Sequence, residues 1–460
     1  MFDANDTIAA IATPSGKGGI GIVRISGPLA NGIGQKLFIP SDKKKYKKLN
    51  RKLAYGHLYD PFTGEAIDEV LISFMHSPHS FTRDDVLEIN CHGGPVLSRK
   101  ILSVILKLGV RLAEPGEFTY RAFINGRIDL TQVEAAVDMI NAVSERGVKI
   151  AAEQIQGVFR KSISDIKNNL LDILAHMESA IDYPDEVEAD FDSLICDINK
   201  NLIQPVDIII KNQGRKSIWL EGAKTVITGG VNVGKSSLFN RMAGENKAIV
   251  TDIPGTTRDA VETSLSVDNV PVLIIDTAGI RNSSEAVEKI GIDLAFKKLD
   301  EADVILLVID LTRAVDEDDL KLKERCKGKT VLVVGNKVDS TALKTNETEL
   351  KAFASPYESV MVSALTGEGL DKLYAMISNL LSGDEFEPVS VSDGYMRHCE
   401  YLRKAGGFFK NAVLALSENT PIEIAAFELK EGLDMLGKIT GETAEDEILN
   451  RIFSRFCLGK

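Results

Sequence analysis

The sequence predicts an α/β plus α protein in which an α/β domain is inserted into a helical domain, behind a separate N-terminal α+β domain. Three observations predict it. Strand, loop and helix alternate from about Trp219 to Gly383, the signature of a parallel sheet. Helical periodicity flanks that region on both sides. Alternating β-branched segments are concentrated in the first 118 residues. The 460-residue chain has room for about three domains. The expected division is 1–118, 119–218, 219–383 and 384–460, the second and fourth segments forming one helical domain.

In the first segment, GIGIVRISG and DEVLISFMHS read as strands and LSRKILSVILKLG as an amphipathic helix. GKGGIG, from Gly16 to Gly21, has the form GxGxxG. It leads into a strand, whereas dinucleotide binding needs a helix there, so that reading is excluded. The basic run SDKKKYKKLNRK, Ser41 to Lys52, is expected to be a solvated loop in preference to a phosphate-contacting patch. From Asp129 to Tyr183 the chain is nearly free of helix breakers, with Val133, Val137 and Ile140, then Ile155, Phe159, Ile163 and Ile166, at helical spacing. FDSLICDINKNLIQPVDIIIKNQ continues the helical pattern. After Gly383, Met396 to Leu416, then IEIAAFELKEGLDMLGKI, then a last short segment read as helices.

The net charge of −13 argues against a surface that is wholly a nucleic-acid footprint. No apolar run approaches the roughly 18 residues that span a bilayer, and the N-terminal segment lacks a basic signal region. Five cysteines without CxxC spacing argue against a zinc site or a disulfide framework and for a reducing, cytoplasmic location, and with no spanning run no membrane partner is expected. Cys457 lies in RFCLGK, a poor prenylation box. Taken alone it reads as an incidental thiol on a frayed end.

TVITGGVNVGKSSLFNRMAGE contains Gly229, Gly234, Lys235 and Ser236 as GxxxxGKS between a strand and a helix, which makes it a phosphate-binding loop. Its amides face phosphates, Lys235 reaches the β- and γ-phosphates, and Ser236 ligates Mg²⁺. VLIIDTAG ends a buried strand on Asp276, placed to hold Mg²⁺ through water, with Gly279 offering its amide to the γ-phosphate. VLVVGNKVD supplies Asn336, Lys337 and Asp339. The Asp339 carboxylate suits the two N–H donors of guanine, a donor pair that adenine lacks. Ser363, Ala364 and Leu365 in VMVSALTG close the base pocket. Four motifs in this order resemble Ras-like GTPases. Ile280 occupies the place of the water-orienting glutamine. Arg258 and Arg281 are the candidates for an arginine finger. The alternatives for orienting water or neutralising charge are Glu285 or Glu288, and a monovalent cation held by Asn232, a residue that could also simply stabilise a turn.

VNVGKSSLFN, IVTDIPGTTRD, DTAGIR, NKVD and the terminal CLGK together resemble the MnmE (TrmE) family of tRNA modification GTPases, over the whole chain. The resemblance implies a tetrahydrofolate-binding-like N-terminal domain that also dimerises the protein. It implies a complex with the flavoprotein MnmG (GidA), a heterotetramer acting on C5 of the wobble uridine of certain tRNAs. Nucleotide contacts then fall on Asn232, Val233, Gly234, Lys235, Ser236 and Ser237, on Thr251, Asp252, Ile253, Pro254, Gly255, Thr256 and Thr257, and on Asp276, Thr277, Ala278 and Gly279, besides the base-pocket residues. Potassium falls on Asn232, Thr251, Ile253 and Thr256. Magnesium falls on Ser236 and Thr257, and the water-orienting acid on Glu288. A 5-formyl- or methylene-tetrahydrofolate falls on Arg24, Glu88, Arg127 and Lys460, with Cys457 near its one-carbon group. Arg127 stands where many members have lysine. The alternative, a ribosome-assembly or RNA-binding GTPase of the Era or EngA type, should carry a basic RNA-binding domain after the GTPase domain. Helices of mixed charge stand there instead.

Overall fold

The computed structural model describes residues 6–42, 50–183, 190–245, 262–267, 270–276, 297–383, 393–443, 446–454, 456 and 459. The chain divides into two compact units: 1–137 with 154–165 and 433–460, and 138–153 with 166–432.

The first unit is built on a seven-stranded sheet. Its strands are β1 (Ile8–Ile11), β2 (Ile20–Ser26), β3 (Phe38–Pro40), β4 (Leu53–Tyr59), β5 (Ala66–Met75), β6 (Val86–His92) and β7 (Arg111–Leu112), in the spatial order β3-β4-β5-β6-β2-β1-β7. All neighbours are antiparallel except β1 and β7. In β4, Ala54, Gly56 and Leu58 are buried while Leu53, Tyr55 and His57 are exposed, the alternation of a sheet with one wet face. The dry face is covered by α1 (Ala30–Leu37) and α2 (Pro95–Leu106), whose Ile33, Leu37, Ile101 and Val104 join Val23, Ile72 and Ile89 in one core. Next comes α3 (Glu117–Ile124).

The helical stretch from Asp129 is three helices: α4 (Leu130–Asn141), α5 (Glu145–Ile155) and α6 (Val158–Asp182). The first break is a side-chain cap, in which the Gly147 amide donates to Ser144 Oγ at 2.9 Å. At the second, Gln132 Nε2 takes up the end carbonyl of Ile155 at 2.7 Å. Neither partner is legible from periodicity. After α7 (Phe191–Ile198), a π-helical turn over Asn199–Ile203 precedes α8 (Gln204–Glu221). Pro205 gives the reason for the irregular turn, because its ring cannot sit against a regular preceding turn. The sequence places the α/β domain from Trp219, but α8 continues through Glu221 and ends at Gly222, whose φ of 86° is a glycine helix stop.

The second sheet comprises β8 (Ala223–Gly229), β9 (Glu262–Val267), β10 (Val270–Asp276), β11 (Val304–Asp310), β12 (Val331–Asn336) and β13 (Glu358–Met361), in the order β13-β12-β11-β8-β10-β9. All pairs are parallel except β9 with β10. Its helices include α9 (Lys235–Glu245), α10 (Glu317–Arg325), α11 (Glu347–Ala354) and α12 (Leu370–Ser382). Both faces are dry, as parallel sheets require. Ile227, Ile274, Leu306 and Val334 point into one core with Leu238 and Leu373, and Val226, Ile275, Leu307 and Val333 into another with Leu350.

Then α13 (Asp393–Ser417), α14 (Ile422–Thr440) and α15 (Asp446–Phe453) follow. The last returns to the first unit. Ile452, Phe453 and Phe456 pack with Tyr120, Leu130 and Val133, and the Phe453 ring meets Tyr120 edge-on at 5.2 Å. The described helices are too short or too polar to cross a membrane.

Candidate functional site

The carboxyl ends of β8, β10, β11 and β12 bring Gly229, Asp276, Asp310 and Asn336 to one rim of the second sheet, where open α/β sheets bind ligands. The loop from Gly230 to Gly234 joins β8 to α9 across this rim. Gly234 has φ of 94°, and a Cβ there would lie 2.3 Å from Asn336 Nδ2. Asn336 cannot yield easily. It is buried, its Nδ2 donates to the Val233 carbonyl at 2.9 Å, and its Oδ1 accepts from the Ala364 amide at 3.0 Å. One side chain therefore ties the phosphate loop to the base-pocket segment.

Lys235 is buried and its Nζ donates to the Gly229 carbonyl at 3.1 Å and the Gly230 carbonyl at 2.5 Å. A second lysine braces the loop from outside: Lys337 Nζ donates to the Asn232 carbonyl at 3.0 Å and to Asp310 Oδ2 at 2.6 Å. Burial pushes the Asp310 carboxyl up, but hydrogen bonds from Lys337 and Thr312 outweigh it and hold the group below the usual carboxylate range. Asn232 has φ of 60°, a turn conformation that asparagine tolerates, and its side chain is exposed. Ser236 and Ser237 are exposed in the first turn of α9, and Val233 is buried beneath them. Asp339 and Leu365 are exposed, Ser363 and Ala364 buried. The Ser363 hydroxyl accepts from the Thr366 amide at 2.9 Å and so shapes the turn of the base-pocket segment.

Serine hydroxyls at a helix N-terminus suit a hard cation such as Mg²⁺. The other expected ligands and contacts, Thr251, Asp252, Ile253, Pro254, Gly255, Thr256, Thr257, Thr277, Ala278, Gly279 and Glu288, lie outside the described residues, as do Arg258, Arg281 and Glu285. Of Asp276 the structure gives the backbone alone, at the last position of β10. Sequence reading missed Asp310, although VILLVID ends a strand on aspartate as VLIIDTAG does. It also missed Arg241 of α9, which donates to the Ala364 carbonyl at 3.3 Å and to that of Leu365.

A second constellation lies in the first unit. Arg24 of β2 and Glu88 of β6 are register partners, and Arg24 Nε meets Glu88 Oε1 at 2.8 Å. Arg24 Nη1 donates to the Gly459 carbonyl at 3.3 Å. Gly459 has φ of 93°, and a Cβ there would lie 2.4 Å from the Ile11 carbonyl, so only glycine lets the chain approach β1 this closely. The Arg24 guanidinium stands 5.7 Å from the centre of the Phe118 ring. Phe118 belongs to a small core with Ile8, Ala10 and Ala113, against which Phe81 packs. Arg127 lies 4.7 Å over the Phe81 ring and donates to the Phe81 carbonyl at 2.9 Å. Burial, then the positive charge of Arg83, lower the Arg127 pKa. Cys457 and Lys460 lie outside the described residues.

Residues 7–127 match the family model of the GTP-binding protein TrmE N-terminus, and residues 130–457 that of the MnmE helical domain. The tRNA modification GTPase MnmE of Desulforamulus reducens is 42% identical over 459 residues, covering 99% of this chain and 100% of that one. The protein of the same name from Carboxydothermus hydrogenoformans is 44% identical over 464 residues, and that from Geobacillus kaustophilus 40% over 459, each covering 99% of both chains. Two family models and full-length identity of this order agree with the phosphate loop and the base-pocket bridge: the chain belongs to the MnmE family of tRNA modification GTPases.

Proposed function

We propose that this chain is a GTP-hydrolysing enzyme of tRNA modification that acts with the flavoprotein MnmG. In this reading it adds an aminomethyl-type group to C5 of the wobble uridine of certain tRNAs, using a tetrahydrofolate derivative. The observation that supports the folate half is the Arg24 guanidinium, which holds Glu88 and the Gly459 carbonyl together. A tail three helices beyond the nucleotide domain thereby reaches the first strands at Gly459, the residue between Leu458 and Lys460 in the chain.

On the GTPase side, the phosphate-loop amides and Lys235 hold the phosphates. Asp339 selects guanine. Ser236 and Thr257 hold Mg²⁺, with Asp276 behind it. Asn232, Thr251, Ile253 and Thr256 hold K⁺, which supplies the positive charge that an arginine finger supplies elsewhere. Glu288 orients the attacking water. Two chains, dimerised through their N-terminal domains, bring their GTPase domains together for hydrolysis, and MnmG completes a cytoplasmic heterotetramer.

The test separates the two halves. Cys457→Ser, or removal of residues 457–460, is expected to abolish wobble-uridine modification in the presence of MnmG, folate and tRNA. GTP hydrolysis by the same preparation is expected to stay within about twofold of the parent, a change worth under ~0.5 kcal/mol. Full modification by the shortened chain would refute the reading.

A further inference from the structure

Arg83 and Arg127 are two cations in search of an anion. Arg83 lies between β5 and β6 with φ of 63°, a left-handed conformation that strains any side chain other than glycine, asparagine or aspartate. Its Nη1 donates to the Asn125 carbonyl at 2.7 Å, at the end of α3. That contact stabilises a helix C-terminus but uses one of five guanidinium N–H donors. Arg127 follows two residues later, its guanidinium 4.7 Å from the centre of the Phe81 ring. Both arginines are exposed, and neither has a carboxylate partner among the described residues.

The adjacent acids are engaged elsewhere. Asp84 faces Asn125 and Arg121, and Asp85 accepts the Ser77 amide at 2.9 Å and stands 3.7 Å from His76. The repulsion between the guanidiniums is the reason Arg83 lowers the Arg127 pKa.

A series of pairwise contacts links Arg24 through the Phe118 core and Phe81 to Arg127, and it suits an extended ligand with a polar ring at one end and negative charge at the other. At one end Arg24 and Glu88 offer a donor and an acceptor together, suited to a polar heterocycle. The half-buried Phe81 ring stands between, packed on the small core that holds the fully buried Phe118. At the other end stand the two unpaired guanidiniums. We propose that Arg83 and Arg127 clamp the carboxylates of a poly-γ-glutamyl tail, so that this site takes folyl polyglutamates in preference to the monoglutamate. The proposal rests on the folate reading above. A nucleic-acid phosphate is disfavoured by the mixed Arg–Glu end of the row, where the Glu88 carboxylate would face a further phosphate of a regularly charged backbone.

The test compares 5-formyltetrahydrofolate with its pentaglutamate by calorimetry on the full-length protein. At low salt the pentaglutamate is expected to bind roughly tenfold more tightly, and 0.5 M salt to shrink that ratio, because exposed charge pairs are screened. Arg83→Gly relieves the backbone strain, so the fold is expected to survive. It should bind the monoglutamate like the parent but lose most of the tenfold preference, whereas Arg83→Lys should keep part of it. Equal binding of the two ligands by the parent overturns the clamp and leaves the folate reading standing. Binding of neither overturns both. A fall in melting temperature of Arg83→Gly with equal loss for both ligands assigns Arg83 to helix capping alone and overturns the clamp.

Discussion

The phosphate loop and the arginine site of the N-terminal sheet are assembled by opposite means. The first is made of backbone. Amides, the Gly229, Gly230, Asn232 and Val233 carbonyls, and a glycine that admits no Cβ define it, and its side chains mostly brace that backbone. The second is made of side chains gathered from separate elements: Arg24 of β2, Glu88 of β6, Phe81 before β6, Phe118 of α3 and Arg127 beyond it. A site made of backbone must come from contiguous residues, so it leaves a motif. A site made of side chains can draw on residues 24, 81, 88 and 127, and leaves none.

The sharpest probe is Asp339, the side chain that the proposed reading assigns to guanine selection. Asp339→Asn is expected to invert nucleotide choice, shifting the ratio of GTP to xanthosine triphosphate affinity by roughly 1,000-fold, since an amide presents one donor where guanine needs two acceptors. Fluorescent-nucleotide titrations measure it, and an unchanged GTP affinity would contradict the base-pocket assignment. Gly234→Ala tests the backbone rule itself. The added methyl meets an anchored Asn336 in a strained φ, and GTP affinity is expected to fall roughly 100-fold while tetrahydrofolate binding is unchanged. If alanine is tolerated, the loop is not the rigid cradle described.

Arg24→Gln is the converse. It leaves Glu88 without its charged partner and should weaken tetrahydrofolate binding roughly 10- to 100-fold with no change in GTP affinity. Equal losses of both ligands would erase the distinction between the sites.

The smallest effect concerns the brace. Because the folded Asp310 pKa is depressed, its contribution to stability is complete above the ordinary carboxylate pKa of about 3.9 and disappears as pH falls through the lower folded value. Thermal melts from pH 7 to pH 2.5 should show Asp310→Asn less stable than the parent at neutral pH, with the two curves converging in acid. A constant gap would mean that the Lys337 contact carries no charge dependence.

The same distinction explains what could be read from the sequence. GxxxxGKS, NKVD and the alternation of strands and helices specify the rim of the second sheet, because local backbone conformation follows from neighbours in the chain. Periodicity detects a helical face but not its interruptions, so α4, α5 and α6 read as one stretch. The cap from Ser144 and the reach of Gln132 to Ile155 are tertiary facts. The alternation of strands and helices sets the domain start at about Trp219, yet the preceding helix runs through Glu221 and Gly222 ends it. Arg24, Glu88 and Arg127 came from family resemblance and not from spacing. Arg83, Phe81 and Phe118 carried no signal at all, since an arginine at positive φ is visible only once the backbone is known.

The hydrogen bond from Arg24 to Gly459 spans 435 residues of chain. During synthesis at about 5–20 residues per second, Gly459 is made roughly 20 to 90 seconds after Arg24. The β-strands that carry Arg24 and Glu88 can pair early, but the group that closes over them cannot yet exist. A chain that stops prematurely can contain an intact GTPase domain and still lack this closure. The contact therefore makes the surroundings of Arg24 a late product of synthesis, finished only once residue 459 has been added.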